Sequence, residues 1–462
     1  MNAQYPRVLF AAPRSGEGKT TVTCAVLAAL VARGLDVAAF KCGPDFIDPM
    51  FHREVIGAKS ANLDLFFTPP DVLRALFAQR ARGCGVSVVE GVMGFYDGLS
   101  MTSSEASSYA VAKALGCPVV LVVSARGAAV SVLAAIKGFL DYEPDANIRA
   151  VILNRCSGAQ FEQLAPLIRE RLGVEPLGFL PRRDDCSLES RHLGLVTAAE
   201  VRDLRQKLAT LAGDAERCIN LDGLLRLAGG APALGAGALE VRAVTETAPR
   251  IAVARDKAFC FYYEENLALL KSLGAELVPF SPLHDAALPP GVSGLYLGGG
   301  YPELYLDALS GNGTMRADIA ANVCGGLPTL AECGGFLYLQ DSITDADGCA
   351  RPMCGAIRSN AHMTQKLGRF GYVTLTARRD NLLCTAGQQI RAHEFHYSDS
   401  EDVGGAFEAQ KPLREVSWPC IHATDTLFAG YPHLYFHANP EFAARFVGAC
   451  AEYQADKGSN RT

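Results

Sequence analysis

The sequence predicts an α/β protein built from two tandem domains, each a mostly parallel sheet covered by helices. Three observations carry that prediction. Near the N-terminus an apolar strand pattern breaks into a glycine-rich loop and then an alanine-rich helix, RVLFAAPRSGEGKTT (7–21), and further strand–helix alternation follows. The stretch GGAPALGAGALEVRAVTETAP (229–249) is small-residue-rich and has no apolar period, as an interdomain linker would. Beyond it a second series of strands begins, one of which runs into a Cys-Gly-Gly turn, PTLAECGGF (328–336). Repeated βα units of this kind close into parallel sheets with helices on their faces.

Bulk properties fit this reading. A chain of 462 residues with 49% hydrophobic and 20% charged residues is ordinary globular protein. A net charge of −6 gives no reason to expect nucleic acid or an anionic membrane surface as a partner. No leader-like segment or membrane-spanning apolar run is read, and the fifteen cysteines show no C-x-x-C spacing. Reduced thiols in the cytoplasm are therefore expected. A homodimer is compatible with the composition.

In the first half, the loop after the opening strand is expected to cradle phosphates. Backbone N–H groups around Ser15, Gly16 and Gly18 face inward, Lys19 neutralises charge, Thr20 can ligate Mg²⁺, and Thr21 continues the helix N-terminus. Pro13 stands where the usual spacing has glycine. The next strand, around residues 37–40, ends in KCGPDFIDP, which places Lys41, Asp45 and Asp48 at the sheet edge where ligands sit in open α/β folds. A third strand, residues 86–89, runs into Glu90 and the loop GVMGFYDG with Asp97. A carboxylate closing a buried strand beside a phosphate loop is a Mg²⁺ ligand in enzymes of that type. Strands at 119–123 and 151–153 follow, the latter ending in Asn154, which reads equally as a base-edge contact or a turn residue.

In the second half, strands are expected at 250–254, 276–280 and 294–297, the last running into GGGYPE. Cys333 sits between an apolar strand and a helix with glycines after it, the arrangement of a nucleophile elbow, and the helix N-terminus is expected to lower its thiol pKa. Candidate bases are the histidine pairs His393/His396 and His433/His437.

The loop APRSGEGKTT, the run KCGPDFIDPMFH, the triplet Asn62-Leu63-Asp64, VVEGVMGFYDG and SRHLGL (190–195) together resemble the cobyrinic acid a,c-diamide synthases. The resemblance covers nearly the whole chain. It implies a dethiobiotin-synthetase-like P-loop domain over 1–228, the linker at 229–249, a class I glutamine amidotransferase domain over 250–451 and a tail at 452–462. It further implies an ATP site formed by Ser15, Gly16, Gly18, Lys19, Thr20, Thr21, Lys41 and Asn154, and Mg²⁺ near Thr20, Asp45 and Glu90. Asp48 and Asp97 would lie near the reacting carboxylate of a corrin-type tetrapyrrole. Cys333 would attack glutamine with His433 as base, and Gly300 and Gly334 would supply the oxyanion hole. Many class I glutaminases carry a glutamate two residues after the histidine; here that residue is Tyr435, so no orienting group can be named. Two alternatives stay open: a,c-diamidation of nickel-sirohydrochlorin or a related tetrapyrrole, and a P-loop regulatory ATPase carrying a non-catalytic amidotransferase-like module.

Overall fold

The computed structural model describes residues 2–186 and 198–459; the SRHLGL segment at 190–195 lies outside them. The chain forms two compact units, Met1–Leu239 and Glu240–Thr462.

The first unit is organised on seven strands: β1 Arg7–Ala11, β2 Val37–Cys42, β3 Lys59–Leu63, β4 Val86–Glu90, β5 Val119–Ser124, β6 Ile148–Asn154 and β7 Glu175–Leu180. Their order is β3-β2-β4-β1-β5-β6-β7, and every neighbouring pair is parallel. Both faces are covered, so the central strands are apolar at nearly every position. In β1, Val8 and Phe10 pack into one core, with helix α1 (Lys19–Ala32), while Leu9 and Ala11 enter the core on the opposite face. The edge strands β3 (KSANL) and β7 (EPLGFL) escape pattern reading because one is polar and the other holds Pro and Gly, which edge positions tolerate. Part of the stretch at 229–249 also belongs to this unit. Leu234–Gly235 pairs with Asn2–Ala3, and the buried Arg7 guanidinium donates to the carbonyls of Leu115 and Pro232 at 2.8 Å each.

The strand register sets up the site. Phe10 and Lys41 are both register partners of Glu90, on either side of β4. The C-terminal ends of β1, β2 and β4 therefore meet at one sheet edge, where the topology of an open α/β sheet leaves its ligand crevice.

The second unit is built on β8 Arg250–Ala254, β9 Glu276–Phe280, β10 Gly294–Leu297, β11 Thr329–Glu332, β12 Phe370–Ala377, β13 Gln389–Phe395, β14 Leu427–Gly430 and β15 His433–Leu434. Strands β9-β8-β10-β11-β14 form a parallel sheet, extended by the antiparallel pair His422–Ala423. A five-stranded antiparallel sheet contains β12, β13 and β15. The chain thus leaves the parallel sheet beside β11 and, two residues later, enters the antiparallel sheet with His433 opposite His393. That crossing brings a histidine to the end of the cysteine-bearing strand.

Candidate active sites

In the first unit the loop between β1 and α1 has Gly16 and Gly18 in the left-handed region, at φ 85° and 87°. Gly18 is required twice over, because a Cβ there would fall 1.9 Å from the Asn154 amide nitrogen. Asn154 donates to the Glu17 carbonyl at 2.7 Å, so its side-chain amide braces the loop. Glu17 is buried and accepts from the Ser124 N–H at 2.7 Å, a second brace that the sequence pattern did not single out. Ser15 and Gly16 form the exposed crest, and Thr21 lies half-buried in the first turn of α1.

Below the loop lies a charged cluster. Lys19 is buried and donates to the Met93 carbonyl at 2.8 Å, and Thr20 Oγ1 donates to Glu90 Oε1 at 2.6 Å. Lys41 Nζ bridges Glu90 Oε1 at 2.7 Å and Asp48 Oδ2 at 2.5 Å. Burial opposes the ionised form of Glu90, but the adjacent Lys41 ammonium holds its carboxyl well below the usual range. Burial and the nearby Asp48 push Asp45 up to about 6, and burial followed by the Lys41 charge lowers Lys19. Asp45 Oδ1 accepts from the N–H groups of Ile47 and Asp48 at 2.8 and 3.0 Å, shaping the loop after β2. Asp97 Oδ2 accepts from Gly94 N at 2.8 Å, and a Cβ at Gly94 would stand 2.7 Å from the Pro13 carbonyl oxygen. Thus the Asp97 loop is packed against the phosphate loop. His52 is the residue missed here: fully buried, its Nε2 lies 3.5 Å from Glu90 Oε2. It was visible as the closing residue of KCGPDFIDPMFH, but only the folded chain shows that the helical turn after β2 carries it to Glu90.

In the second unit Cys333 adopts φ 47°, ψ −105°, a strained conformation held by its N–H donating to Gly430 O at 2.8 Å and by Leu337 N–H donating to its carbonyl at 3.0 Å. The expected lowering of its thiol pKa is not what the structure gives. Burial pushes the thiol up to about 12, the charge of Glu303 adds to this, and the Gly334 N–H only partly offsets it. A helix N-terminus of one short turn cannot overcome the cost of a thiolate in an enclosed site. A thiolate is therefore disfavoured in the site as it stands.

A histidine lies beside this cysteine. A Cβ on Gly299 would lie 2.3 Å from Cε1 and 3.2 Å from Nε2 of His433, and 3.4 Å from Cβ of Cys333. Cysteine and histidine therefore face each other across a residue with no side chain. His433 is buried, and burial, followed by the neighbouring His393 and His396, lowers it to about 3, which keeps the imidazole neutral. Gly300 passes so close to Ala258 that a Cβ would fall 2.1 Å from that carbonyl oxygen, and its N lies 3.2 Å from the Cβ position of Gly334. The Gly300 and Gly334 backbones thus come close together next to Cys333. His396 instead stacks on Tyr431 at 3.8 Å, and the Tyr435 ring meets Tyr263 at 5.1 Å. The residue missed is Glu332, immediately before the cysteine. Buried in β11, it accepts from Leu434 N and from the Tyr296 hydroxyl at 2.9 Å each, and its Oε2 lies 4.0 Å from His433 Nδ1. Its signal was a lone carboxylate inside the apolar strand TLAE.

Comparison with known proteins agrees with this two-site geometry. Residues 8–196 match the CobQ/CobB/MinD/ParA nucleotide binding domain, and residues 250–441 match the CobB/CobQ-like glutamine amidotransferase domain. The cobyrinate a,c-diamide synthase of Caldanaerobacter subterraneus is 40% identical over 448 residues, covering 96% of this chain and 98% of that protein. The chain belongs to the cobyrinate a,c-diamide synthase family. A second member of this synthase family, from Salmonella typhimurium, is 38% identical over 97% of this chain and 99% of its own. The hydrogenobyrinate a,c-diamide synthase of Streptomyces coelicolor is likewise 38% identical, over 96% and 97%. As a member of this synthase family the protein is a carbon–nitrogen ligase that takes its amide nitrogen from glutamine, and the α/β reading of both halves holds.

Proposed function

We propose that the protein amidates the a and c side-chain carboxylates of cobyrinate, or of its hydrogenobyrinate counterpart, in cobalamin biosynthesis, using ATP and glutamine. The observation that carries this reading is the full-length likeness to synthases bearing those names, joined to two separately built sites in one chain. In the glutaminase site Cys333 attacks the glutamine carboxamide carbon while His433 takes the thiol proton and returns it to the leaving ammonia. The N–H groups of Gly300 and Gly334 stabilise the oxyanion, and water then hydrolyses the thioester. In the synthetase site Lys19 and the loop amides grip the ATP phosphates, with Ser15, Gly16, Gly18 and Thr21 around them and Asn154 bracing the loop. Lys41, Asp48 and Asp97 orient a substrate carboxylate, which takes up the γ-phosphoryl group and is then attacked by ammonia. A carboxylate is too poor an electrophile to accept ammonia directly, which is why ATP is needed.

Mg²⁺ fits the residues present. Glu90 Oε2 is buried and has no hydrogen bond among the described residues, and the Thr20 hydroxyl and Asp45 carboxylate supply the further hard oxygen donors this cation prefers. Held by Thr20, Asp45 and Glu90, it would neutralise charge on the phosphates. All fifteen cysteines are free thiols, which suits a reducing cytoplasm. No helix among the described residues is long and apolar enough to cross a membrane. Side-by-side assays with cobyrinate, hydrogenobyrinate and nickel-sirohydrochlorin, each with ATP and glutamine, test the substrate. Turnover of nickel-sirohydrochlorin alone would refute the corrin assignment.

A further inference from the structure

We propose that Glu332 is the positioning residue for His433, taking the part that a glutamate two residues after the histidine has in many class I glutaminases and that Tyr435 cannot take. The inference deepens the Cys333–His433 reading and rests on it. Glu332 ends β11 and is 2% exposed. A carboxyl so deeply buried is costly unless each oxygen has work to do. One oxygen accepts from the N–H of Leu434, the residue after the histidine, at 2.9 Å. The other accepts from the Tyr296 hydroxyl at 2.9 Å and stands 4.0 Å from His433 Nδ1. A single side chain therefore ties together the nucleophile strand β11, the neighbouring strand β10 and the histidine strand β15.

Asn266 completes the frame from the other side. Its Nδ2 donates to Leu434 O, and its Oδ1 accepts from Phe436 N, both at 2.8 Å. The backbone after His433 is thereby fixed in direction, with Nδ1 4.0 Å from Glu332 Oε2 and Nε2 beside Gly299, which Cys333 also approaches. The 4.0 Å gap exceeds a hydrogen bond, and catalytic contacts of this kind are commonly long in the resting enzyme and tighten when substrate is bound. His393 and His396 also act on His433 and repel an added positive charge. Around Glu332 stand Tyr262, Tyr296, Cys333 and His433, and the charges of Glu303 and Glu394 also reach Cys333. Glu332 is the carboxyl whose oxygen stands 4.0 Å from the ring, placed to steady the imidazolium formed when the thiol proton is taken. Burial raises its carboxyl, while the hydrogen bonds from the Leu434 N–H and the Tyr296 hydroxyl favour the ionised form that steadies the imidazolium.

The test compares Glu332→Gln and Glu332→Asp with the unaltered enzyme. In Glu332→Gln, kcat for glutamine hydrolysis should fall roughly a hundredfold with little change in KM, while synthesis from added ammonium salt persists. Alkylation of Cys333 by iodoacetamide should slow alongside kcat. A merely structural role would not lower both rates while sparing KM and ammonium-driven synthesis. Glu332→Asp, which keeps the carboxyl, should recover part of kcat. An unchanged kcat in Glu332→Gln overturns the proposal, as does a loss shared equally by ammonium-driven synthesis. Glutamine hydrolysis surviving in Cys333→Ala would overturn the underlying pair, and the role of Glu332 with it.

Discussion

The hydroxyl of Thr20, in the first turn of α1, donates to Glu90 Oε1 at the end of β4 at 2.6 Å. The phosphate loop is thereby tied to the carboxylate cluster before any nucleotide arrives. Lys19, one residue earlier, spends one of its three ammonium N–H groups on the Met93 carbonyl and can turn the others to a phosphate. Lys19→Ala should cut both glutamine- and ammonium-driven synthesis about a hundredfold or more, the usual cost of removing a transition-state charge contact. Glutamine hydrolysis should survive at least in part. Full synthesis by this variant would remove the loop from the mechanism.

Cys333→Ala is expected to separate the two chemistries in the opposite sense. The variant should lose glutamine-dependent amidation and retain synthesis from ammonium salt, because nothing in the phosphate-loop cluster depends on the sulfur. Parallel assays with the two nitrogen sources check it, and glutamine-driven product from the variant would refute the nucleophile.

Gly299 offers a test of geometry with no chemical group removed. An added methyl would stand 2.3 Å from His433 Cε1, so the ring must move. Displacement by about 1 Å commonly costs on the order of a hundredfold in rate, and Gly299→Ala should lose that much glutamine hydrolysis. Overpacking should also cost about 1–3 kcal/mol of stability, readable by thermal unfolding. Unchanged kinetics would mean that the imidazole is not confined as the structure shows it.

Much of this was legible in the chain. Lys19-Thr20 and Cys333 stand in local patterns, strand then turn then helix, that a dozen residues specify. What was not legible depends on register between distant strands. Lys41 and Glu90 become partners only because β2 and β4 are neighbours, and His52 reaches the same carboxylate from the helical turn that follows β2. Glu332 looked like an ordinary strand residue because its partners, Tyr296 and Leu434, come from other strands. The thiol of Cys333 was misjudged for a related reason. Sequence shows the helix that would stabilise a thiolate but not the burial that outweighs it. The antiparallel strands β12 and β13 were passed over, although Val373, Leu375 and Ala377 alternate inward as a half-buried strand should.

The buried histidines set a pH expectation. His433 and His393 are lowered to about 3, and His396 and His437 to about 4, in each case chiefly by burial, from an ordinary value of 6.5. Below 6.5 the unfolded chain binds protons that the folded one refuses, so this contribution to stability is whole above 6.5 and is lost as pH falls towards 3–4. Glu332 and Glu394, raised by burial to about 8 and about 7, act in the other direction between those values and their ordinary 4.5. The two trends offset one another down to about pH 4.5, where the carboxyl contribution of Glu332 and Glu394 is complete and the histidine loss continues, joined by that of Glu90, whose carboxyl is held below the usual range. Acid unfolding followed by circular dichroism should therefore steepen below about pH 4.5. Glutaminase activity per folded molecule should show no histidine limb near 6.5, and such a limb would mean that His433 is more exposed to solvent than the structure has it.

The last expectation is that the substrate carboxylate is activated by phosphorylation and not by adenylation. Lys41 Nζ holds Asp48 and Glu90 together, and Glu90 in turn is tied to Thr20 at the start of α1. Helix N-termini and their first hydroxyl residues grip the terminal phosphates of a nucleotide, so these groups gather around the γ-phosphate. Asp97, packed against the same loop through Gly94, closes the cluster from the side of β4. A carboxylate positioned by Lys41 would meet the γ-phosphorus in line, whereas adenylation needs the α-phosphate presented to it. With the substrate carboxylate labelled by heavy oxygen, one labelled oxygen should appear in inorganic phosphate, with ADP as co-product. Label recovered in AMP, with pyrophosphate released, would rule out the acyl phosphate.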